Sequence, residues 1–287
     1  MKLRFTKMHG LGNDFLVVDG LSQPLPEQGP PFPVEELQRL GDRHFGVGFD
    51  QLLIVQPARQ TGVDFRYRIF NADGSEVSQC GNGARCFARF VREQRLTDKS
   101  EIRVETAAGQ MTLHVADNDH VTVDMGEPQW APEAIPFIAK QQADSYILVA
   151  DRNAYEISAV GLGNPHCVLL TENVEHAPVE TLGPILERHE QFPERVNVGF
   201  MQIVSRSEIR LRVYERGAGE TLACGSGACA AVLCGQRRGF LDDTVTVHLP
   251  GGALQVSYSG QGGVRMTGPA SRVYDGEIEI PAKDPAP

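Results

Sequence analysis

Three observations predict a mixed α+β fold of two pseudo-symmetric, homologous lobes, each a mainly antiparallel sheet wrapped around a central helix. The motif CGNGARC at Cys80 returns as CGSGACA at Cys224, 144 residues later in a chain of 287. Each copy follows a short segment alternating apolar and basic residues, and each opens an alanine-rich run without proline. The sequence around the two copies also repeats, in the same order.

In chain order, GLGNDF from Gly10 answers GLGNPH from Gly161, and GVGFDQLLIV from Gly46 answers NVGFMQIV from Asn197, both at an offset of 151. RYRIFNADGSEVSQCGNG from Arg66 lies without a gap over RLRVYERGAGETLACGSG from Arg210, and VETAAGQMTLHV from Val104 resembles VHLPGGALQVSY from Val247. Loop insertions, which cost little free energy, account for the drifting offset. DFRYRIF and EIRLRVY have the period of half-buried strands and lead into glycine-containing turns. ARCFARFVREQ and ACAAVLCGQRR are rich in small residues of high helix propensity and read as helices. PLPEQGPPFP from Pro24 reads as a loop that leaves the helix boundary near Val34 open, and the tail PAKDPAP reads as frayed. The expected division is residues 1–127 for the first lobe and 128–269 for the second, with the segment from about 270 to 287 returning to the first. Prolines and the only tryptophan, in MGEPQWAPEAIP, mark the boundary.

Hydrophobic residues at 41% and charged residues at 22% describe an ordinary globular protein. A net charge of −10 without a lysine–arginine run argues against a nucleic-acid partner. No apolar stretch approaches the twenty residues of a spanning helix, and the N-terminus has no signal-peptide pattern, so a cytoplasmic, membrane-free protein is expected. The six cysteines, at 80, 86, 167, 224, 229 and 234, are then expected as reduced thiols. None forms a C-x-x-C pair, so no metal site is expected.

Cys80 and Cys224 each stand just before a predicted helix, where unpaired first-turn N–H groups favour a thiolate and lower a thiol pKa. Gly81 with Gly83, and Gly225 with Gly227, allow close backbone approach and leave donors for an anion. With duplicated lobes face to face, both thiols would look into one cleft. That arrangement suits inversion of a stereocentre: one thiolate removes an α-hydrogen, the other thiol returns a proton from the far side, and no cofactor is needed. Cys86 and Cys229 fall inside the helices and Cys167 in the apolar strand CVLL, so these and Cys234 read as small buried hydrophobes.

KMHGLGNDF, RHFGVGFDQLL, FNADGSEVSQCGNGARC, GNPHCV, FPERVNVGF, YERGAGETLACGSGACA and TGPASRVYDG together resemble the diaminopimelate epimerase family over nearly the whole chain. The resemblance implies cofactor-independent interconversion of LL- and meso-diaminopimelate, in lysine and peptidoglycan-precursor synthesis, by a homodimer. It implies Cys80 and Cys224 as the acid–base pair, with His166 and Glu215 tuning the thiols. Gly81 with Asn82 and Gly225 with Ser226 would hold the reacting carboxylate. Asn13, Gln51, Asn71, Asn164, Asn197, Glu215 and Arg216 would line the rest of the site, and Tyr274 would stand at the dimer contact. Such a set suits a substrate with two ammonium and two carboxylate groups, since Arg216 can grip a carboxylate two-pronged and Glu215 can receive an ammonium.

Two other functions remain open. Proline and hydroxyproline racemases share the two-lobed architecture; the polar lining of Asn71, Asn197 and Arg216 favours the acyclic substrate, because a ring would want apolar walls. From a different class, facing Cys80 and Cys224 could act as a thiol–disulfide switch.

Overall fold

A computed structural model describes residues 1–78, 80–116 and 120–281. In chain order they form β1 (Lys2–Gly10), β2 (Asn13–Asp19), α1 (Val34–Gly41), β3 (Gln51–Pro57), β4 (Phe65–Asn71), β5 (Glu76–Val77), α2 (Gly81–Glu93), β6 (Glu101–Thr106), β7 (Gly109–Val115) and β8 (Val121–Asp124). There follow β9 (Tyr146–Ala150), β10 (Asn153–Gly161), β11 (Pro165–Leu170), α3 (Val179–Glu187), β12 (Asn197–Ser205), β13 (Glu208–Glu215), β14 (Gly219–Thr221), α4 (Gly225–Arg237), β15 (Thr244–Leu249), β16 (Gly252–Ser257), β17 (Arg265–Gly268) and β18 (Ser271–Glu279). The expectation of a frayed tail falls, from residue 282 on, outside the described residues. No helix among the described residues is long and apolar enough to cross a membrane.

The chain divides into two compact units, Met1–Val123 with the chain from Pro269 on, and Asp124–Gly268. In the first, β18 pairs antiparallel with β1, β1 with β2 and β3 with β4, while β2 runs parallel to β3 and β4 parallel to β6. The second repeats the plan: β9 is antiparallel to β10, β10 to β11 and β12 to β13, with β11 parallel to β12 and β13 parallel to β15. Short β5 and β14 fold back on β4 and β13 as hairpins, each just ahead of a cysteine. The fold is therefore mixed α+β and two-lobed.

Each sheet closes on its helix, α2 against β1, β2, β3 and β7, and α4 against β10, β11, β12 and β16. Ten of the thirteen residues of α4 are buried, and its alanines let the strands approach. In α2 the buried positions include Cys86, Phe87 and Phe90. Satellite cores complete the units: Leu37 and Leu40 of α1 pack with Leu16, Leu52 and Phe70, and Leu182 and Leu186 of α3 pack with Cys167, Val198 and Phe200.

The register corrects one of the sequence matches. Phe15 is opposite Gln51 across β2–β3, and Gln51 is opposite Asn71 across β3–β4. His166 is opposite Asn197 across β11–β12, and the pairing of Val198 with Tyr214 carries Asn197 next to Glu215. Gln51 thus corresponds to Asn197, an offset of 146 and not the 151 that GVGFDQ and NVGFMQ suggest. Residues 46–50 precede β3 in a loop, whereas Asn197 begins β12. Cross-strand pairing fixes register, and a shared Val-Gly-Phe does not.

The alternation in DFRYRIF places Arg68 toward solvent, yet its side chain is only 1% exposed. Arg68 Nε and Nη2 donate to the two Glu76 oxygens at 2.7 and 2.9 Å, and Nη1 and Nη2 donate to the carbonyls of Pro26 and Gly29 at 2.9 and 2.7 Å. The proline-rich segment is the loop expected, and this guanidinium pins it to the sheet. Arg66 and Arg59 add bonds to Glu27 O at 2.8 and 3.0 Å. Leu25 and Phe32 then enter the core, and α1 begins at Val34.

Candidate active site

Within the first unit, β4–β5 delivers the chain to α2 with Cys80 as N-cap, in extended conformation at φ −145°. Gly83 N donates to Cys80 Sγ at 3.4 Å and Ala84 N to Cys80 O at 2.8 Å, so the thiol caps the helix that follows it. Asn13, at the start of β2, places Oδ1 3.9 Å from Cys80 Sγ and accepts from Asn82 Nδ2 at 3.2 Å. Gln51 Nε2 donates to Asn71 Oδ1 at 3.0 Å, and Asn71 donates to Ser75 Oγ. Gln51 Oε1 is buried without a hydrogen-bond partner, a polar atom prepared for a donor.

A charge cluster that the sequence reading missed holds Asn13. Asn13 Nδ2 donates to Asp50 Oδ2 at 2.8 Å; Arg43 spans both oxygens of Asp14 at 2.8 Å each and reaches Asp50 at 2.9 Å; Lys7 meets Asp14 at 2.6 Å. Burial would raise the Asp14 pKa, but hydrogen bonds from Arg43 and Lys7 outweigh it and hold the carboxyl well below the usual carboxylate range. No pattern in the sequence singles it out, because β1 and β2 carry other charged residues, Lys2, Arg4 and Asp19, besides Lys7 and Asp14.

Within the second unit, β13–β14 leads to α4 with Cys224 as N-cap, again extended and only 4% exposed. Cys224 Sγ lies 3.8 Å from Ser226 Oγ; Asn164 Nδ2 donates to Ser226 Oγ at 3.5 Å, and Asn164 Oδ1 lies 2.9 Å from His166 Nε2. Asn197 donates to Pro165 O at 3.1 Å and accepts from Arg216 N at 3.0 Å, while Arg216 Nη1 donates to Glu194 O. Asn164, His166, Asn197, Glu215, Arg216, Cys224, Gly225 and Ser226 therefore meet at one end of the unit's sheet, around the start of α4.

Burial governs the electrostatics of this unit. A depressed thiol pKa was expected for Cys224 from its place at a helix start; instead burial, then the charge and hydrogen bond of Glu215, push it well up, against smaller contributions from Gly227 N and Ser226. A buried anion beside a carboxylate is disfavoured more strongly than first-turn N–H groups can repay, so Cys224 rests as a thiol. His166 is pushed down to about 3 by burial and then by the charge of Arg216, which makes it a neutral imidazole with Nε2–H donating to Asn164.

All six cysteines are free thiols. Burial raises Cys86 and Cys234 to about 12 and Cys167 higher still; these three sulfurs, with that of Cys229, are buried as the sequence suggests. Tyr274, on β18, packs edge-to-face on Phe5 with centroids 6.0 Å apart, is 44% exposed, and belongs to neither cluster. Among the described residues no group of His, Cys, Asp and Glu is arranged to hold a metal.

Residues 5–131 and 158–273 match the sequence profile of the diaminopimelate epimerase family. The chain belongs to the diaminopimelate epimerase family. Membership makes it an isomerase of the epimerase type. Solved structures with the same fold include a probable proline racemase from Agrobacterium radiobacter K84, 17% identical with TM-score 0.70, covering 99% of this chain and 94% of that one. A hydroxyproline epimerase from Agrobacterium vitis is 16% identical with TM-score 0.68, over 96% and 92%. A phenazine biosynthesis protein of the PhzF family from Bacillus anthracis is 17% identical with TM-score 0.66, over 98% and 100%. At these identities the likeness concerns the fold alone.

Proposed function

We propose that the protein interconverts LL- and meso-2,6-diaminopimelate with two cysteine thiols and no cofactor. One thiolate removes the α-hydrogen, the other thiol gives a proton to the opposite face of the same carbon, and the roles exchange in the reverse direction. Cys80 and Cys224 are the pair. The observation that carries this reading is their common position as N-caps of buried helices, each inside a cluster of amides. Backbone donors of the two first turns, at Gly81 with Asn82 and Gly225 with Ser226, stabilise the charge that spreads into the substrate carboxylate on deprotonation. Cys224, resting protonated, begins as the acid.

The polar set of Asn13, Gln51, Asn71, Asn164, Asn197 and Arg216 supports an acyclic substrate carrying a second amino-acid head, with the unpartnered Gln51 Oε1 suited to an ammonium donor. His166 and Glu215 set the electrostatics around Cys224. Tyr274, exposed on β18, is proposed at a homodimer contact, and the cytoplasm as the compartment.

In deuterated water, the reduced enzyme without added cofactor is expected to turn LL-diaminopimelate into the meso form with deuterium at the inverted carbon. Cys80→Ala and Cys224→Ala each abolish this, and Cys86→Ala does not. No exchange with diaminopimelate, or turnover of proline in its place, would overturn the substrate assignment.

A further inference from the structure

The hairpin β13–β14 has two faces with different duties. Arg212, Tyr214 and Glu220 lie on one; Val213, Glu215 and Thr221 lie on the other, with Thr221 directly opposite Val213 and diagonal to Glu215. The second face is turned toward the start of α4, since a Cβ on Gly227 would meet both Val213 Cγ2 and Cys224 Sγ at 3.1 Å. On that face Thr221 Oγ1 donates to Glu215 Oε1, and Glu215 is hydrogen-bonded to the Cys224 thiol.

The first unit supplies an internal comparison. Its hairpin β4–β5 carries Asn71 where the second unit has Glu215, and Val77 where the second has Thr221. Asn71 turns its side chain to Gln51 and Ser75. The hydroxyl and the carboxylate are thus a matched addition to one half of a duplicated scaffold.

We propose that Thr221 is a positioning residue for the Cys224 thiol: its hydroxyl fixes the Glu215 carboxylate in the orientation that faces Sγ. This rests on the assignment of Cys224 as one of the two reacting thiols. A carboxylate on a long side chain has several rotamers, and one directed donor selects among them while favouring the ionised form. Without the donor, Glu215 swings from the thiol or takes a proton, and either change removes its opposition to the thiolate. Of the other ionisable groups near this hairpin, His166 on β11 is neutral as described, Arg216 stands in the β13–β14 turn, and Glu187 belongs to α3, which packs on the opposite face against Tyr214, and accepts from Gly217 N at 2.9 Å. None of these bonds Thr221, and the first turn of α4 contains no acid.

The test titrates the Cys224 thiolate by its ultraviolet absorbance, as the difference between each protein and its Cys224→Ala counterpart, without substrate. Thr221→Val, which installs the residue of the other half, is expected to lower the Cys224 titration midpoint by about one pH unit, and Thr221→Ser to restore it. In a Glu215→Gln background, Thr221→Val should add no further shift. With diaminopimelate, Thr221→Val should lower kcat about tenfold and change KM less than twofold. An unchanged midpoint in a Thr221→Val protein of normal near-ultraviolet dichroism overturns the proposal, as does an equal shift with and without Glu215. If Thr221→Val does not fold, an unshifted midpoint in Thr221→Ala overturns it equally. Shifts as expected in a protein inactive on diaminopimelate would leave Thr221 as the positioning residue and sink the substrate assignment instead.

Discussion

Arg212 Nε and Nη2 meet the two oxygens of Glu220 at 2.6 and 2.7 Å, a two-pronged pair that recurs 144 residues earlier between Arg68 and Glu76. Each guanidinium also holds two carbonyls of a crossing segment, Arg212 through Nη1 to Val174 and Glu175, and Arg68 through Nη1 to Pro26 and Nη2 to Gly29. Each pair ties the hairpin that delivers a cysteine to the segment crossing outside it.

The two pairs are expected to differ in worth. Arg68 is almost wholly enclosed, whereas Arg212 and Glu220 keep roughly a quarter of their side chains in water. Glu76→Gln leaves a buried guanidinium without its counter-charge and should cost about 3 kcal/mol. Glu220→Gln should cost about 1 kcal/mol, because solvent can replace part of the lost interaction. Urea unfolding of the two variants checks this; equal midpoint shifts would show that burial is not what separates them.

Thiol reactivity should sort the cysteines by environment. Cys80 is partly exposed while the other five are buried. With Cys86 and Cys234 pushed up to about 12 and Cys224 raised by burial and Glu215, little thiolate exists at those sites near neutral pH. Iodoacetamide at pH 8 is therefore expected to label Cys80 first, at least tenfold faster than any other cysteine, as read by peptide mass spectrometry. Labelling that begins at Cys224 would contradict the account of its surroundings.

Acid should destabilise the fold through His166. In the unfolded chain its imidazole takes a proton near pH 6.5, whereas in the folded chain burial and Arg216 push it down to about 3. Below about pH 6.5 the unfolded state binds the extra proton. The stabilisation is complete above that pH and is lost as pH falls toward 3, at up to about 1.4 kcal/mol per pH unit. His166→Gln, which keeps a hydrogen-bonding group for Asn164, should flatten unfolding free energy between pH 6 and 4. Asp14 acts lower down: its depressed pKa makes its contribution disappear only as pH falls below the ordinary carboxylate value near 4. A variant with the wild-type slope would place the sensitivity elsewhere.

The duplication was legible because the cysteine motif, the small residues after it and the strand before it are local, and local identity survives where a helix start must be rebuilt twice. The partners that orient the site were not. Asp14, Arg43 and Asp50 converge from three separate segments, and no spacing announces them. The burial of Arg68 was not legible either, because strand alternation records only the side of the sheet, and a loop from residue 24 to 33 covers that side. The Val-Gly-Phe match misled for a related reason: Gly46 to Phe49 precede β3, while their look-alikes are paired inside β12. Likewise Glu215, arriving from β13, raises the Cys224 thiol against the effect of its helix start.

Two glycines in the repeated motif should respond oppositely to alanine. A Cβ on Gly83 would stand 2.3 Å from Tyr67 Oη and 3.3 Å from Leu53 and Phe15, all packed in the core of the first unit. Tyr67 is enclosed and reaches Cys80 O at 3.4 Å, so it has nowhere to retreat. Gly83→Ala should therefore lose about 2 kcal/mol of stability by overpacking. On Gly227 the nearest atoms would be Cys224 Sγ and Val213 Cγ2, both at 3.1 Å, a crowding relieved by a few tenths of an ångström. The atom that moves there is the proposed proton donor, and displacement of a reacting group on that scale lowers rate far more than it lowers stability. Gly227→Ala should thus unfold within about 1 kcal/mol of the parent yet lose tenfold or more in kcat, measured as deuterium incorporation. A Gly227→Ala enzyme of full activity would mean that the thiol tolerates the displacement and that its position is not set by contact with the first turn of α4.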